Sequence, residues 1–305
     1  MLTIQSAEIG ICFLCYHGLV RERGDARLER NFHLLSDFRE QMRWVKRQPV
    51  LSLREAAHSR AFSRQAAVIT FDDGYANNLL AAEILSDLGL PWTVFVSTGA
   101  IGTGGMIWTV ELSLLLLHGE CARLEALQKA WPLGNREERE PAFQTIRYRM
   151  KAMPARERRE TMNEIRAQFP GGESRRLLDK FPAFQMLTWN DLARLAEAGV
   201  EVGSHGVEHE IHQAAQDARM RRVELVESKH EIERRLGKPC RAFAFPNGDT
   251  CEDSAREVED AGYEMAFTTR QDFARPDANR FLLPRVSPSG GAAKLKKQMR
   301  DLLQR

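Results

Sequence analysis

A chain of 305 residues with 43% hydrophobic and 28% charged content is long enough to bury a full core. Its formal net charge of +2, with no basic stripe interleaved with aromatics, excludes nucleic acid as a partner. No stretch reaches the ~18 apolar residues that span a bilayer, which excludes a transmembrane helix.

The first ten residues lack the positive n-region of a secretion signal. The apolar run from Ile9 to Cys15 is short and strand-like, so a cytoplasmic location is expected, with a trimmed leader leaving the same reading open. Five cysteines in no framework spacing fit a reducing compartment. Residues 9–16 read as a strand buried on both faces that stops at His17-Gly18. Within it Cys12 and Cys15 point to opposite faces, as core thiols rather than a redox pair.

Leu35, Phe38, Met42 and Val45 recur at helical spacing over residues 34–47, and Ser52 opens a second short helix with Glu55 in a capping-box pattern. A β-α-β unit follows: strand 67–71, helix 76–88 stopped by Gly89, strand 92–97. Between residues 102 and 184 the alternation is lost. An apolar helix at 110–117 and a charged stretch at 136–176, punctuated by Pro132, Pro141, Pro154 and Pro170, read as a helical insertion that could line one wall of a substrate cleft.

The alternation resumes with helix 190–198, strand 200–203, helix 217–236, strand 242–245, helix 251–261 and strand 265–268. Parallel strands joined by helices imply an α/β layer or barrel. After Gly291, Leu295, Met299, Leu302 and Leu303 predict a terminal helix docked on that body.

Two features carry chemistry. Asp72 and Asp73 end an apolar strand; like charges side by side persist there only beside a cation or protonated partner. After the strand at 200–203 come His205 and His209, whose i, i+4 spacing predicts both imidazoles on one side of a helical turn. Two histidines and one carboxylate make a divalent-metal set with room for water, and the other carboxylate is free to act as a base. His212 reads as a surface residue rather than a further ligand.

The runs Thr70-Phe71-Asp72-Asp73-Gly74-Tyr75, Ser204-His205-Gly206-Val207-Glu208-His209 and Phe243-Ala244-Phe245-Pro246-Asn247-Gly248, in this order, resemble the NodB-homology polysaccharide deacetylases of carbohydrate esterase family four. The resemblance implies a distorted (β/α) barrel, here one catalytic domain over residues 1–305 with its helical insertion at about 102–184. The implied reaction is metal-dependent removal of N-acetyl groups from an amino-sugar glycan or glycolipid precursor. It implies Asp73, His205 and His209 as metal ligands, Asp72 as base, and the backbone N–H of Tyr75 as oxyanion donor.

Zinc is the expected ion, and nickel, cobalt or manganese suit the same donors. An N-acetylated saccharide is the expected partner; the sequence leaves the oligomeric state open. An O-acetyl sugar esterase, a small cyclic amide hydrolase on the same scaffold and a non-catalytic carbohydrate-binding protein are the alternatives.

Three departures from the family pattern stand out. Gly206 replaces the usual Ser or Thr, removing a hydroxyl but no ligand. Ala244 stands where an Arg usually orients the base, leaving Arg285, which follows an apolar strand-like run, preferred over Arg241. No late Leu-x-His is present. Tyr16-His17 resembles the early Tyr-His element of permuted members, which implies His17 as the acid that protonates the leaving amine. The 245–248 segment is expected to loop over the site, with Trp189 at its rim.

Overall fold

The computed structural model describes residues 10–58 and 65–304. In chain order, β1 (Ile11–Tyr16), β2 (Leu19–Val20), β3 (His33–Leu34), α1 (Leu35–Val45), α2 (Leu53–Ala56), β4 (Ala66–Phe71), α3 (Asn78–Leu88) and β5 (Thr93–Val96) form the first half of the body. The insertion follows as α4 (Trp108–His118), β6 (Arg123–Ala126), β7 (Lys129–Pro132), α5 (Arg136–Lys151), α6 (Ala155–Arg166) and α7 (Glu173–Lys180). The body is completed by α8 (Trp189–Glu197), β8 (Glu201–Ser204), α9 (Ala218–Leu236), β9 (Ala242–Ala244), α10 (Ser254–Asp260), β10 (Met265–Phe267) and α11 (Ala292–Leu303). Ser52 and Glu55 make the reciprocal capping box at α2, and left-handed Gly89 ends α3.

Six strands pair in the order β1-β4-β5-β8-β9-β10, every neighbour parallel. The segment 283–286 joins the two edges of this curled sheet. Leu283 bridges Phe267 on one side and Val286 bridges Leu14 on the other, with the Thr268 N–H on the Leu283 carbonyl at 2.9 Å and the Cys15 N–H on the Val286 carbonyl at 2.8 Å. The result is a distorted (β/α) barrel, and closure removes the open strand edges.

Alternation along β1 separates two apolar layers. Ile11 and Phe13 join Phe95, Ala244, Phe267 and Leu283 inside the barrel, whereas Cys12, Leu14 and Tyr16 pack outward under the helices. Cys12 and Cys15 are both buried, free thiols. Through Leu295, Met299 and Leu302, α11 packs against α1.

The insertion has an apolar cluster of its own, built on Leu112, Leu115, Phe143, Ile146 and Ile165, which takes in Phe32 and Tyr75 from the body. It differs from a purely helical segment in containing the hairpin of β6 and β7. Leu127 and Gln128 both sit at positive φ (55° and 61°), the geometry of a tight two-residue hairpin turn. Pro141 lies inside α5 without ending it, because its missing N–H costs a single bond early in the helix. Among the described residues no helix is long and apolar enough to cross a membrane.

Candidate active site

The site stands at the carboxyl ends of β4 and β8, where a parallel barrel exposes its loops. Beyond β4 the backbone turns at Asp73 (φ 73°) and Gly74 (φ 84°). A Cβ on Gly74 would lie 2.9 Å from the Val96 side chain, so glycine meets both the conformation and the close approach. The turn sends the two neighbouring carboxylates to different partners.

Asp72 meets Arg285 on the closing segment: Nη1 donates to Oδ1 and Nη2 to Oδ2, each at 2.6 Å. Arg285 is wholly buried, its Nε donates to the Thr268 carbonyl at 3.1 Å, and its guanidinium lies over Phe95 and Phe267. Burial alone would raise the Asp72 carboxyl, but the charges of Arg285, His205 and His17 outweigh it and hold the group at about 2. The alternative cation, Arg241, pairs with Glu264 at the half-exposed start of β9, away from this site.

Asp73 faces the histidines. Its Oδ1 lies 3.3 Å from Nε2 of both His205 and His209, all three residues are buried, and the imidazole centroids are 4.9 Å apart. No helical turn joins the two histidines. Residues 205–213 are irregular, with left-handed backbone at Gly206 (φ 85°) and His209 (φ 55°), and this looped path brings the rings together. The His205 Nδ1–H donates to the Ala244 carbonyl at 2.7 Å, which turns Nε2 toward Asp73.

Further residues that sequence reasoning missed hold this loop. Glu224, buried on α9, accepts the N–H groups of Val207 (2.8 Å) and Glu208 (3.1 Å). A Cβ on Gly206 would lie 2.5 Å from its Oε2, so a carboxylate fills the space a larger residue would need. Arg221, Glu224, Leu225, Ser228 and Ile232 share the buried side of α9 at helical spacing, a sequence signal that charged residues there were inward. From the insertion, buried Arg158 pairs with buried Glu210 and stacks on Trp108, whose indole N–H donates to the His209 carbonyl at 3.1 Å.

His17, half-buried, follows β1 next to β4. It forms a cluster with Cys15 and Asp72 in which one donor atom of each lies within 4.8 Å of the others. The bridge between Tyr75 and Met186 uses the Ala76 N–H and the Gly74 carbonyl and leaves the Tyr75 N–H outside it. Two further expectations are corrected. His212 is buried at 1% exposure between Phe243 and Phe245 rather than on the surface. Trp189 is not at the rim; it packs on the outer core under Arg235. From the 245–248 segment Asn247 reaches the cleft, while Phe245 is core.

The profile of a family described as "Polysaccharide deacetylase" matches residues 59–266. The chain belongs to this family of hydrolases. A search of curated proteins found no match. Among solved structures, the deacetylase PplD of Streptococcus pyogenes, in complex with acetate, superposes with a TM-score of 0.62 at 15% identity, covering 96% of this chain and 99% of that one. IcaB from Ammonifex degensii gives 0.57 at 15% identity over 92% of each chain. The BpsB deacetylase domain of Bordetella bronchiseptica gives 0.52 at 17% identity, over 92% of this chain and 96% of that one. At these identities the likeness shows a shared fold.

Proposed function

We propose that this polysaccharide deacetylase hydrolyses the N-acetyl group of an amino sugar in a glycan or glycolipid precursor, the whole chain acting as one catalytic domain. The observation that carries the reading is the division of two adjacent carboxylates, Asp72 to a buried guanidinium and Asp73 to two imidazoles. Asp73 Oδ1 is buried, has no hydrogen-bond partner of good geometry and faces both Nε2 atoms, which fits three donors set for a cation. A divalent ion held by Asp73, His205 and His209, zinc before nickel, cobalt or manganese, supplies Lewis acidity to the acetamide carbonyl and the attacking water.

This chain's residues do the rest. Asp72, kept ionised by Arg285, takes the proton of the attacking water. The Tyr75 N–H donates to the oxyanion as it develops. His17 delivers a proton to the departing amine as general acid.

Acetate release from a panel of N-acetylated oligosaccharides and their O-acetylated counterparts, run with metal analysis, tests the reading. Release from the N-acetylated set that is lost on chelation and restored by zinc is expected. Release from the O-acetylated set alone, or turnover indifferent to chelation, would refute it.

A further inference from the structure

The cleft above Asp72 and Asp73 holds about 440 Å³, and its far wall comes from α5 and the segment before β3. Arg30, Arg147 and Lys151 line that wall. Each gives a hydrogen bond to a neutral acceptor: Arg30 Nε to the Arg27 carbonyl, Arg147 Nη2 to Gln144, and the Lys151 ammonium to Asn247. The Arg147 Nε is buried with no partner among the described residues.

The nearby acids make their direct contacts with other groups. Glu140 faces Arg27 at 3.6 Å and Asp249 accepts the Asn247 amide at 2.5 Å, while Asp25 is shared by Arg27 and His118. On the opposite side of the cleft Asp72 is matched by Arg285 and Asp73 is turned to its histidines. Glu140 offsets part of the Arg147 charge and Asp249 part of the Lys151 charge, but neither forms an ion pair with these cations, and repulsion from Arg30 and Arg147 acts more strongly on them.

That wall is also fixed in place. Phe143 is fully buried, and the guanidinium carbons of Arg147 and Arg30 stand 5.3 and 5.9 Å from its ring centroid. Burial, then repulsion from Arg30, lowers the Arg147 pKa, and burial, then repulsion from Arg147, lowers that of Lys151. Arg147 and Lys151, partly withdrawn from water and clustered with the exposed Arg30, are unfavourable alone, and an oxyanion between the three relieves the repulsion with charge-assisted hydrogen bonds.

We propose that the acetamido sugar hydrolysed at Asp72 carries, or is joined to, an anionic group, a phosphate or a carboxylate, that docks on Arg30, Arg147 and Lys151. The inference rests on the deacetylase reading and names the substrate class for that site. The test uses one N-acetylated disaccharide in three forms: neutral, phosphorylated at the reducing end, and with a uronate as the neighbouring sugar. Binding is measured by calorimetry and turnover by acetate release, at low and high salt.

The wild-type chain should bind one charged form roughly tenfold or more tightly than the neutral form. That advantage should shrink as salt rises. Whichever charged form gains identifies the anion. Arg147→Gln with Lys151→Gln should abolish the preference, and Arg30→Gln, at an exposed position where it removes no buried side chain, should reduce it. Equal binding of all three forms, or a preference that survives Arg147→Gln with Lys151→Gln, overturns the proposal. If acetate still leaves the neutral form in that case, the deacetylase reading stands. Charged-form binding with no acetate from any form overturns the deacetylase reading, and with it the claim that the anion belongs to its substrate.

Discussion

Replacing Arg285 with Met tests the arrangement of the proposed base, Asp72, most directly. The wild-type guanidinium is fully buried and gives two 2.6 Å hydrogen bonds to Asp72, which is held at about 2. A depressed carboxyl stabilises the fold above its unfolded pKa and loses that contribution as pH falls through its folded value, here a window from about 4 down to about 2. The depression is roughly two pKa units, worth about 2–3 kcal/mol. Removing the cation also leaves a buried, unpaired carboxylate, and breaking buried pairs this way costs about 3–5 kcal/mol. Urea unfolding at neutral pH should show a loss of that size, and the acid limb of the pH–rate profile should move upward as Asp72 becomes harder to ionise. Adding Asp72→Leu to Arg285→Met should restore part of the stability, since both charges are then gone. Unchanged stability together with an unshifted acid limb in Arg285→Met would refute the assignment of Arg285 to Asp72.

The other outcomes can be checked with the same preparations. His205→Ala with His209→Ala should abolish binding of about one divalent ion per chain, and metal content equal to wild type would remove the basis of the proposed centre. Asp72→Asn should keep the metal and lower acetate release by ~10²–10⁴-fold; near-native turnover would mean another base. His17→Ala should depress kcat far more than substrate affinity, with the metal retained and the alkaline limb altered, whereas an unchanged profile would make His17 structural. Glu224 is pushed up to about 7, chiefly by burial, so the fold binds its proton more tightly than the unfolded chain and stability should fall as pH rises from about 4.5 through 7, by roughly 3 kcal/mol. Glu224→Gln should flatten that slope in urea titrations, and an identical slope in the variant would contradict it.

The barrel was readable because its strands are short, buried and punctuated. The run ending at Tyr16 and the one ending at Phe71 are buried throughout and apolar but for Thr70, and each stops at a polar residue at the carboxyl end of a parallel strand. Arg285 could be singled out for the same reason, since Leu282-Leu283 precede it, though nothing local reveals that residues 283–286 bridge both sheet edges. The histidine pair shows the limit of periodicity: its spacing permits a helix, but left-handed backbone at Gly206 and His209, held by Glu224 from seventeen or so positions onward, decides otherwise. The β6–β7 hairpin was hidden because Leu127 and Gln128 adopt the turn without the Asn-Gly or Asp-Gly that usually marks it. His212 looked polar and therefore external, yet Phe243 and Phe245 enclose it and burial lowers it to about 3.

The closing segment ties chemistry to the order in which the chain is made. Asp72 leaves the ribosome before the histidines, and the guanidinium that accompanies Asp72 follows later still, on residues 283–286. Until that segment threads between β10 and β1, the inner cluster lacks Leu283 and Asp72 lacks Arg285. The seam of the barrel thus also completes the setting of the proposed base: a chain cut short before Arg285 keeps every proposed metal ligand and leaves Asp72 without its guanidinium.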